Sequence, residues 1–243
     1  MSKTFCPLPW NHLATHPHGS VTLCCEAEMA NRRGESFDRN DPESTRADKR
    51  GFLTFQRTDY DFKRIINGDS FNEVRLDLLN DRIPEPCARC FEYESLGIES
   101  KRQRELRRLD LSYEDAKNAT NSDGTVNKAE YEFIELRLGN HCNLACRSCN
   151  PASSTRWADD WQEFSGGWWT MGKELFEWPL DNKFWEALAT TATDKLRQLY
   201  INGGEPLLID KHANYLKYLV DTGYAKNICL YYRPIVQLKI QSI

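Results

Sequence analysis

Three cysteines in the second half of the chain have a spacing that suits a metal centre. Cys142, Cys146 and Cys149 lie on one loop between a strand-like run and a helix-like run. A structural zinc site has four protein ligands and a 4Fe-4S cluster with four cysteines is closed, whereas three thiolates leave one iron open to another ligand. The triad therefore predicts a 4Fe-4S cluster with an open iron. The alternative is a structural zinc site, for which His141 is the only obvious fourth ligand in the sequence.

A glycine-rich motif follows the next strand-like run. Gly203, Gly204 and Glu205 come directly after residues 196–202. Glycines let backbone carbonyls approach a ligand closely, and a carboxylate at Glu205 suits an ammonium group. Because the loops that follow parallel strands meet at one end of a sheet, the two motifs are expected to share one site.

The cysteine loop and the GGEP loop together resemble the radical S-adenosylmethionine (SAM) enzymes. In that family the amino and carboxylate groups of SAM chelate the open iron, and the reduced cluster splits SAM into methionine and a 5′-deoxyadenosyl radical. The residue before the third cysteine is commonly aromatic or large in the family and touches adenine, but here it is Ser148. The resemblance implies cluster ligands at Cys142, Cys146 and Cys149 and a SAM-binding motif at Gly203, Gly204 and Glu205.

Four cysteines nearer the N-terminus resemble a second ligand set. Cys6, the Gly19-x4-Cys24 motif and the Cys87-x2-Cys90 motif stand in the order found in the auxiliary-cluster regions called twitch or SPASM. Most radical SAM proteins carry this region after their barrel domain, whereas here it precedes the cysteine triad. The closer resemblance is therefore to radical SAM proteins with an N-terminal twitch domain. The resemblance implies a second 4Fe-4S cluster on Cys6, Cys24, Cys87 and Cys90. A zinc site with four cysteines is the alternative.

Pro17 and Gly19, between two strand-like runs, predict a hairpin close to the first of these motifs. Successive strand residues face opposite sides, so Cys25 is expected to point away from Cys24 and to pack as a small buried hydrophobe. The three nearby histidines are interpreted as turn or surface residues: His12, His16 and His18.

The remaining pattern predicts an α/β fold. Phe71, Val74, Leu78 and Leu79 recur at helical spacing, and strand-like and helix-like runs alternate after residue 129, which implies a parallel sheet. The expected organisation is a small α+β region like twitch or SPASM at 1–110 with a polar loop at 26–51, a linker at 111–128, and a partial radical SAM (TIM-like) barrel at 129–243.

The length of the second region is short for a whole barrel. Six βα units would need roughly 190 residues when scaled from an eight-unit barrel, whereas residues 131–243 supply 113 residues and about three units. The sequence therefore predicts truncation, low activity of this chain alone, and a partner chain that completes the barrel and covers its open edge.

Composition limits the class of partner. The net charge of −4 opposes nucleic-acid binding, and the sequence has neither a signal peptide nor an apolar run of about 18 residues. The basic stretch at residues 101–108 is interpreted as a solvated helix face. The prediction is a cytoplasmic protein that binds neither nucleic acid nor a membrane.

The predicted function is that of a radical SAM protein that takes electrons from an external donor. The expected substrate, a peptide or other small molecule, comes from the family resemblance alone. A non-catalytic iron-sulfur or zinc-binding module, inactive through truncation, is the alternative function.

Overall fold

The computed structural model describes residues 3–27, 54–128, 130–164 and 173–232. All but the first two residues of the expected polar loop at 26–51 lie outside these ranges. The chain divides into two compact units: unit 1 comprises Met1–Ala14 and Ser20–Ile134, and unit 2 comprises Thr15–Gly19 and Glu135–Ile243.

The first half of the chain is mostly helical. Its described elements are α1 (Leu8–Asn11), β1 (His12–Thr15), β2 (Val21–Thr22), α2 (Phe62–Ile66), α3 (Asp69–Leu79), α4 (Ala88–Ser95), α5 (Lys101–Arg108) and α6 (Tyr113–Ala119). Helix α3 buries Phe71, Val74 and Leu78, as the helical spacing predicts. Helix α5 begins at a capping box, in which the Gln103 N–H donates to Ser100 Oγ (3.1 Å) and the Ser100 N–H donates to Gln103 Oε1 (3.3 Å).

Residues 111–128, expected to be a linker, pack within unit 1. They include α6, and Asn67 holds the segment that follows this helix. The Asn67 amide donates to the Val126 carbonyl (3.0 Å), and its side-chain oxygen accepts from the Val126 N–H (2.9 Å). Asn, Ser, Asp and Gly indicate turns in a sequence, but they do not reveal whether a turn packs on a neighbour.

The second half alternates strands and helices. Its described elements are β3 (Phe133–Arg137), α7 (Ala158–Phe164), α8 (Asn182–Ala189), β4 (Gln198–Asn202), α9 (Asp210–Asp221) and β5 (Cys229–Tyr232). Helix α7 has no buried residue, and Phe164 at its end is 83% exposed. Instead Trp178 and Phe184 pack edge to face with ring centroids 4.6 Å apart, and Trp185 packs on Phe184 at 5.0 Å.

The strands form an open sheet in the order β2-β1-β3-β4-β5. Strands β4 and β5 run parallel, in a register that pairs Gln198 with Cys229 and Ile201 with Tyr232. The described residues therefore have a mixed α/β fold, which confirms the expected class.

The nine α-helices of the described ranges are short, and the longest, α9, has 12 residues. None of these helices has the length and apolar character needed to cross a membrane.

Candidate metal centres

The four N-terminal cysteines of the predicted auxiliary site line one pocket in unit 1. Cys6, Cys24, Cys87 and Cys90 share the wall of about 340 Å³ of space, part of it open to solvent. The rest of the lining is mainly apolar, with three charged side chains: Leu8, Ala27, Leu78, Pro86, Phe91, Glu26, Lys101 and Arg102. The four residues with the expected spacing are thus brought together around one space.

Short turns and helix ends position these cysteines. Cys24 lies in a turn after β2, where its carbonyl accepts from the Thr22 hydroxyl (3.1 Å) and from the Ala27 N–H (3.2 Å). Cys87 ends a 3-10 turn, and its N–H donates to the Pro84 carbonyl (2.9 Å). Because α4 begins at the next residue, Cys90 lies in its first turn.

The environment of Cys25 differs from the expectation. Strand β2 ends at Thr22, so the alternation of side chains along a strand does not extend to Cys24 and Cys25. The turn nevertheless separates the two thiols, since Cys24 lines the pocket and Cys25 is exposed. The prediction that Cys25 packs as a buried hydrophobe is wrong.

Electrostatics favour the neutral thiol in this pocket. Burial raises the pKa of Cys6, Cys24 and Cys87 well above the ordinary value, and nearby cysteines raise each of these pKa values further. Thiolates in this position therefore need a positive charge from a bound metal centre.

The thiols do not converge on a single point. Within the described ranges, no three His, Cys, Asp or Glu side chains are grouped closely enough to hold one metal ion. Tetrahedral zinc with Zn–S bonds of about 2.3 Å requires sulfur atoms about 3.8 Å apart.

The second cysteine group lies on the loop between β3 and α7. Cys142 is buried, and Cys146 and Cys149 are half-buried. The Leu144 N–H lies 3.5 Å from Cys142 Sγ, and the Cys149 N–H donates to the Cys146 carbonyl (2.9 Å). Burial raises the pKa of Cys149, and Cys146 and Cys142 raise it further.

The segment before α7 holds this loop in place. The Thr155 hydroxyl donates to the Cys142 carbonyl (3.0 Å), and the Ser154 hydroxyl donates to the Leu144 carbonyl (2.6 Å). The Trp157 indole N–H donates to the Cys146 carbonyl (2.9 Å). Side chains of the segment that follows the cysteine loop therefore hold the backbone of this loop in place.

The GGEP loop lies against the backbone that leads into the cysteine loop. The Leu138 N–H donates to the Asn202 carbonyl (2.8 Å), so β3 and β4 end at the same edge, and the Glu205 N–H donates to the His141 carbonyl (2.7 Å). Gly204 has a φ of +32°, and a Cβ there would lie 2.4 Å from the His141 carbonyl oxygen. Glycine is required by this close approach.

The Glu205 carboxylate is fully buried, which the sequence does not reveal. Its Oε1 accepts from the Leu207 N–H (3.1 Å) and caps the 3-10 turn Pro206–Leu208. Burial lowers the pKa of the nearby His212 to about 4, against a rise caused by the charge of Glu205. The His212 ring stacks on Tyr232 at 5.4 Å, and His212 Nε2 has no hydrogen-bond partner in the described part of the chain.

Two interpretations of polar residues in unit 1 are wrong. His12, expected at a turn or on the surface, is 1% exposed in β1; its Nδ1 lies 2.9 Å from the Phe133 carbonyl, and burial lowers its pKa to about 3. The basic stretch 101–108 is not a uniformly solvated face, because Lys101 and Arg102 line the cysteine pocket and Glu105 is buried. Composition and helical period did not indicate what packs against this helix.

Part of the chain is similar to a known protein family. Residues 6–91 match SPASM, an iron-sulfur cluster-binding domain, and this range contains all four cysteines of the pocket. The triad and the GGEP loop lie outside it. No curated protein and no solved structure matches the chain. Residues 6–91 are therefore similar to an iron-sulfur cluster-binding domain of the SPASM kind.

Proposed function

We propose that this protein is a radical SAM iron-sulfur protein with two 4Fe-4S clusters. The observation that carries the proposal is the contact of the GGEP loop with the backbone immediately before the cysteine triad, in a chain that also has a SPASM domain. Each feature alone has other interpretations. Their combination is typical of radical SAM proteins.

The auxiliary cluster is held by Cys6, Cys24, Cys87 and Cys90. Support comes from their position on the wall of one pocket inside the matched domain. Four cysteines make a closed site, in which every iron has a protein ligand. This site serves electron transfer or substrate positioning rather than SAM cleavage.

The second cluster is held by Cys142, Cys146 and Cys149, and its open iron is the SAM site. When bound, this cluster supplies the electron that cleaves SAM to methionine and a 5′-deoxyadenosyl radical, and an external reductant replaces that electron. The chain's own residues supply three thiolates, and the Leu144 amide lies near one sulfur. Gly203 and Gly204 provide a close-fitting backbone at the edge where SAM binds.

The proposal also covers the substrate, the partial barrel and the cellular compartment. A peptide or other small molecule is the substrate. Strands β3, β4 and β5, with the helices that follow the first two of them, belong to a partial barrel that a partner chain completes. Nine cysteines without disulfides in the described residues suit a reducing compartment, the cytoplasm.

Metal analysis under anaerobic conditions tests the proposal most directly. We expect about eight iron and about eight sulfide per reconstituted chain, since two clusters contain four of each. Dithionite reduction with SAM should then yield 5′-deoxyadenosine, measured by chromatography, in the small amount expected of this chain alone. Zinc in place of iron, or iron without any SAM cleavage when a completing chain is supplied, would contradict the radical SAM function.

A further inference from the structure

The basic helix α5 contributes two charged side chains to the cysteine pocket. Lys101 and Arg102 line it together with the four cysteines, and their side chains are 10% and 11% exposed. Glu26 is the other charged residue of the lining, and it lies 3.6 Å from Arg89. The pocket wall therefore carries two cations that water screens poorly, and each has a carboxylate beside it: Glu105 for Lys101 and Glu94 for Arg102.

Arg102 joins two of the segments that carry cysteines. Its Nη1 donates to the Phe5 carbonyl (3.0 Å), next to Cys6, and its Nε donates to Glu94 Oε1 (3.0 Å) on α4, the helix that contains Cys90. The guanidinium also lies over the Phe91 ring, 4.8 Å from its centroid. Arg102 therefore positions the pocket segments in addition to supplying a positive charge, because a planar guanidinium can donate to Phe5 and to Glu94 at the same time.

Lys101 acts on the pocket mainly through its charge. Its Nζ lies over the Phe133 ring (5.2 Å) and 3.8 Å from Glu105, and Glu105 also pairs with Arg108 at 2.6 Å. Since Arg108 stays with Glu105, replacing Lys101 does not leave that buried carboxylate without a cation. Burial and Cys6 raise the pKa of Cys24, and the charge of Lys101 opposes this rise.

We propose that Lys101 and Arg102 raise the reduction potential of the cluster held by Cys6, Cys24, Cys87 and Cys90. This inference rests on the proposed function, because it requires a redox-active cluster in the pocket. Reduction adds one negative charge, and cations in a poorly solvated wall stabilise that charge more strongly than cations in water would. Net charge near a cluster is one of the main determinants of its potential.

The test is a redox titration of the auxiliary cluster, followed by electron paramagnetic resonance. The full-length chain carries Cys142→Ala, Cys146→Ala and Cys149→Ala, so that a single cluster titrates. With Lys101→Met we expect a lower midpoint potential, with at least a tenfold change in the oxidised-to-reduced ratio at fixed potential, or about 59 mV for one electron. Iron content should remain near four per chain, and Lys101→Arg should restore the potential.

Arg107→Met is the matched control, since Arg107 lies on the same helix with a side chain that is 64% exposed. A Lys101→Met potential equal to that of this control would overturn the inference while leaving the proposed cluster intact. Failure of the background variant to bind iron at all would overturn both the inference and the auxiliary site.

The variant Arg102→Lys distinguishes the positioning role of Arg102 from the effect of its positive charge. It keeps the cation but loses the fork that reaches both Phe5 and Glu94. We expect less iron per chain, with a nearly unchanged potential for the clusters that form. Full iron content with a potential lowered as far as in Lys101→Met would contradict the positioning role of Arg102.

Discussion

The two cysteine groups differ in the number of thiols and in what surrounds them. The SPASM-domain group has four thiols on the wall of one mainly apolar pocket in unit 1. The triad has three thiols on a loop of unit 2, where Leu144 is 39% exposed and the GGEP loop lies against the preceding backbone. Under the proposed function the two groups do different work: the closed site of four cysteines transfers electrons or positions the substrate, and the triad with its open iron binds SAM.

Loss of a triad cysteine should have the largest effect. Cys142→Ala, Cys146→Ala or Cys149→Ala each leaves two thiolates, which rarely hold a 4Fe-4S cluster. We expect iron to fall from about eight to about four per chain and 5′-deoxyadenosine formation to cease. The control is Cys229→Ala, an exposed cysteine in β5. Unchanged iron and SAM cleavage in all three variants would refute the assignment of the triad.

The adjacent pair Cys24 and Cys25 offers the next test. Cys24→Ala should remove the auxiliary cluster and its iron, whereas Cys25→Ala should retain both, because only Cys24 lines the pocket. Iron analysis of the two variants side by side is the measurement. The reverse result would mean that the turn after β2 presents the other thiol, and equal loss would mean a different ligand set.

Gly204→Ala should disturb the GGEP loop without removing a proposed cluster ligand. The positive φ and the overlap with the His141 carbonyl should together lower the free energy of unfolding by about 2–4 kcal/mol. Gly223→Ala is the matched control, since Gly223 has a φ of +79° and nothing within 4 Å of an added Cβ; we expect about 1 kcal/mol there. Urea unfolding of both variants is the measurement, and equal losses would contradict the close packing of the GGEP loop.

A smaller effect is expected from His12 in unit 1. Burial lowers its pKa from 6.5 to about 3, and Lys101 and Arg108 contribute to this decrease. Between pH 6.5 and about pH 3, His12 therefore binds a proton in the unfolded chain but not in the folded chain. The free energy of unfolding should fall as the pH decreases from 6.5 towards 3, by at most about 1.4 kcal/mol per pH unit.

Urea unfolding of the metal-free chain at pH 7 and pH 5 measures the contribution of His12. The loss between the two pH values should be smaller for His12→Gln than for the unchanged chain. Equal losses would show that His12 gains its proton at an ordinary pKa.

Local spacing predicted much of the fold and of the candidate sites. The period of Phe71, Val74 and Leu78 predicted α3, and the alternation of strand-like and helix-like runs after residue 129 predicted the mixed α/β class. These features depend on residues close in sequence, so the sequence contains the information.

Features that depend on distant neighbours were not predicted. Burial of Glu205, Lys101 and His12 requires knowledge of what packs on each element, and a charged or polar residue looks solvated until its neighbour is known. The exposure of Cys25 was missed because β2 is only two residues long. The residues of a strand indicate that it forms, but its length depends on the strands with which it pairs.

The pocket of unit 1 also sets an order of events during protein synthesis. Cys90 follows Cys6 by 84 residues, and Arg102 comes 12 residues later. At about 5–20 residues per second, roughly 4–17 s separate the first thiol from the last. Cys6 and Cys24 thus leave the ribosome before the wall that shelters them exists, and the cluster proposed for the four cysteines can be completed only after Cys90 has emerged. Until then the early thiols of the nascent chain are accessible to oxidants, because the oxidation of a cysteine depends on its exposure.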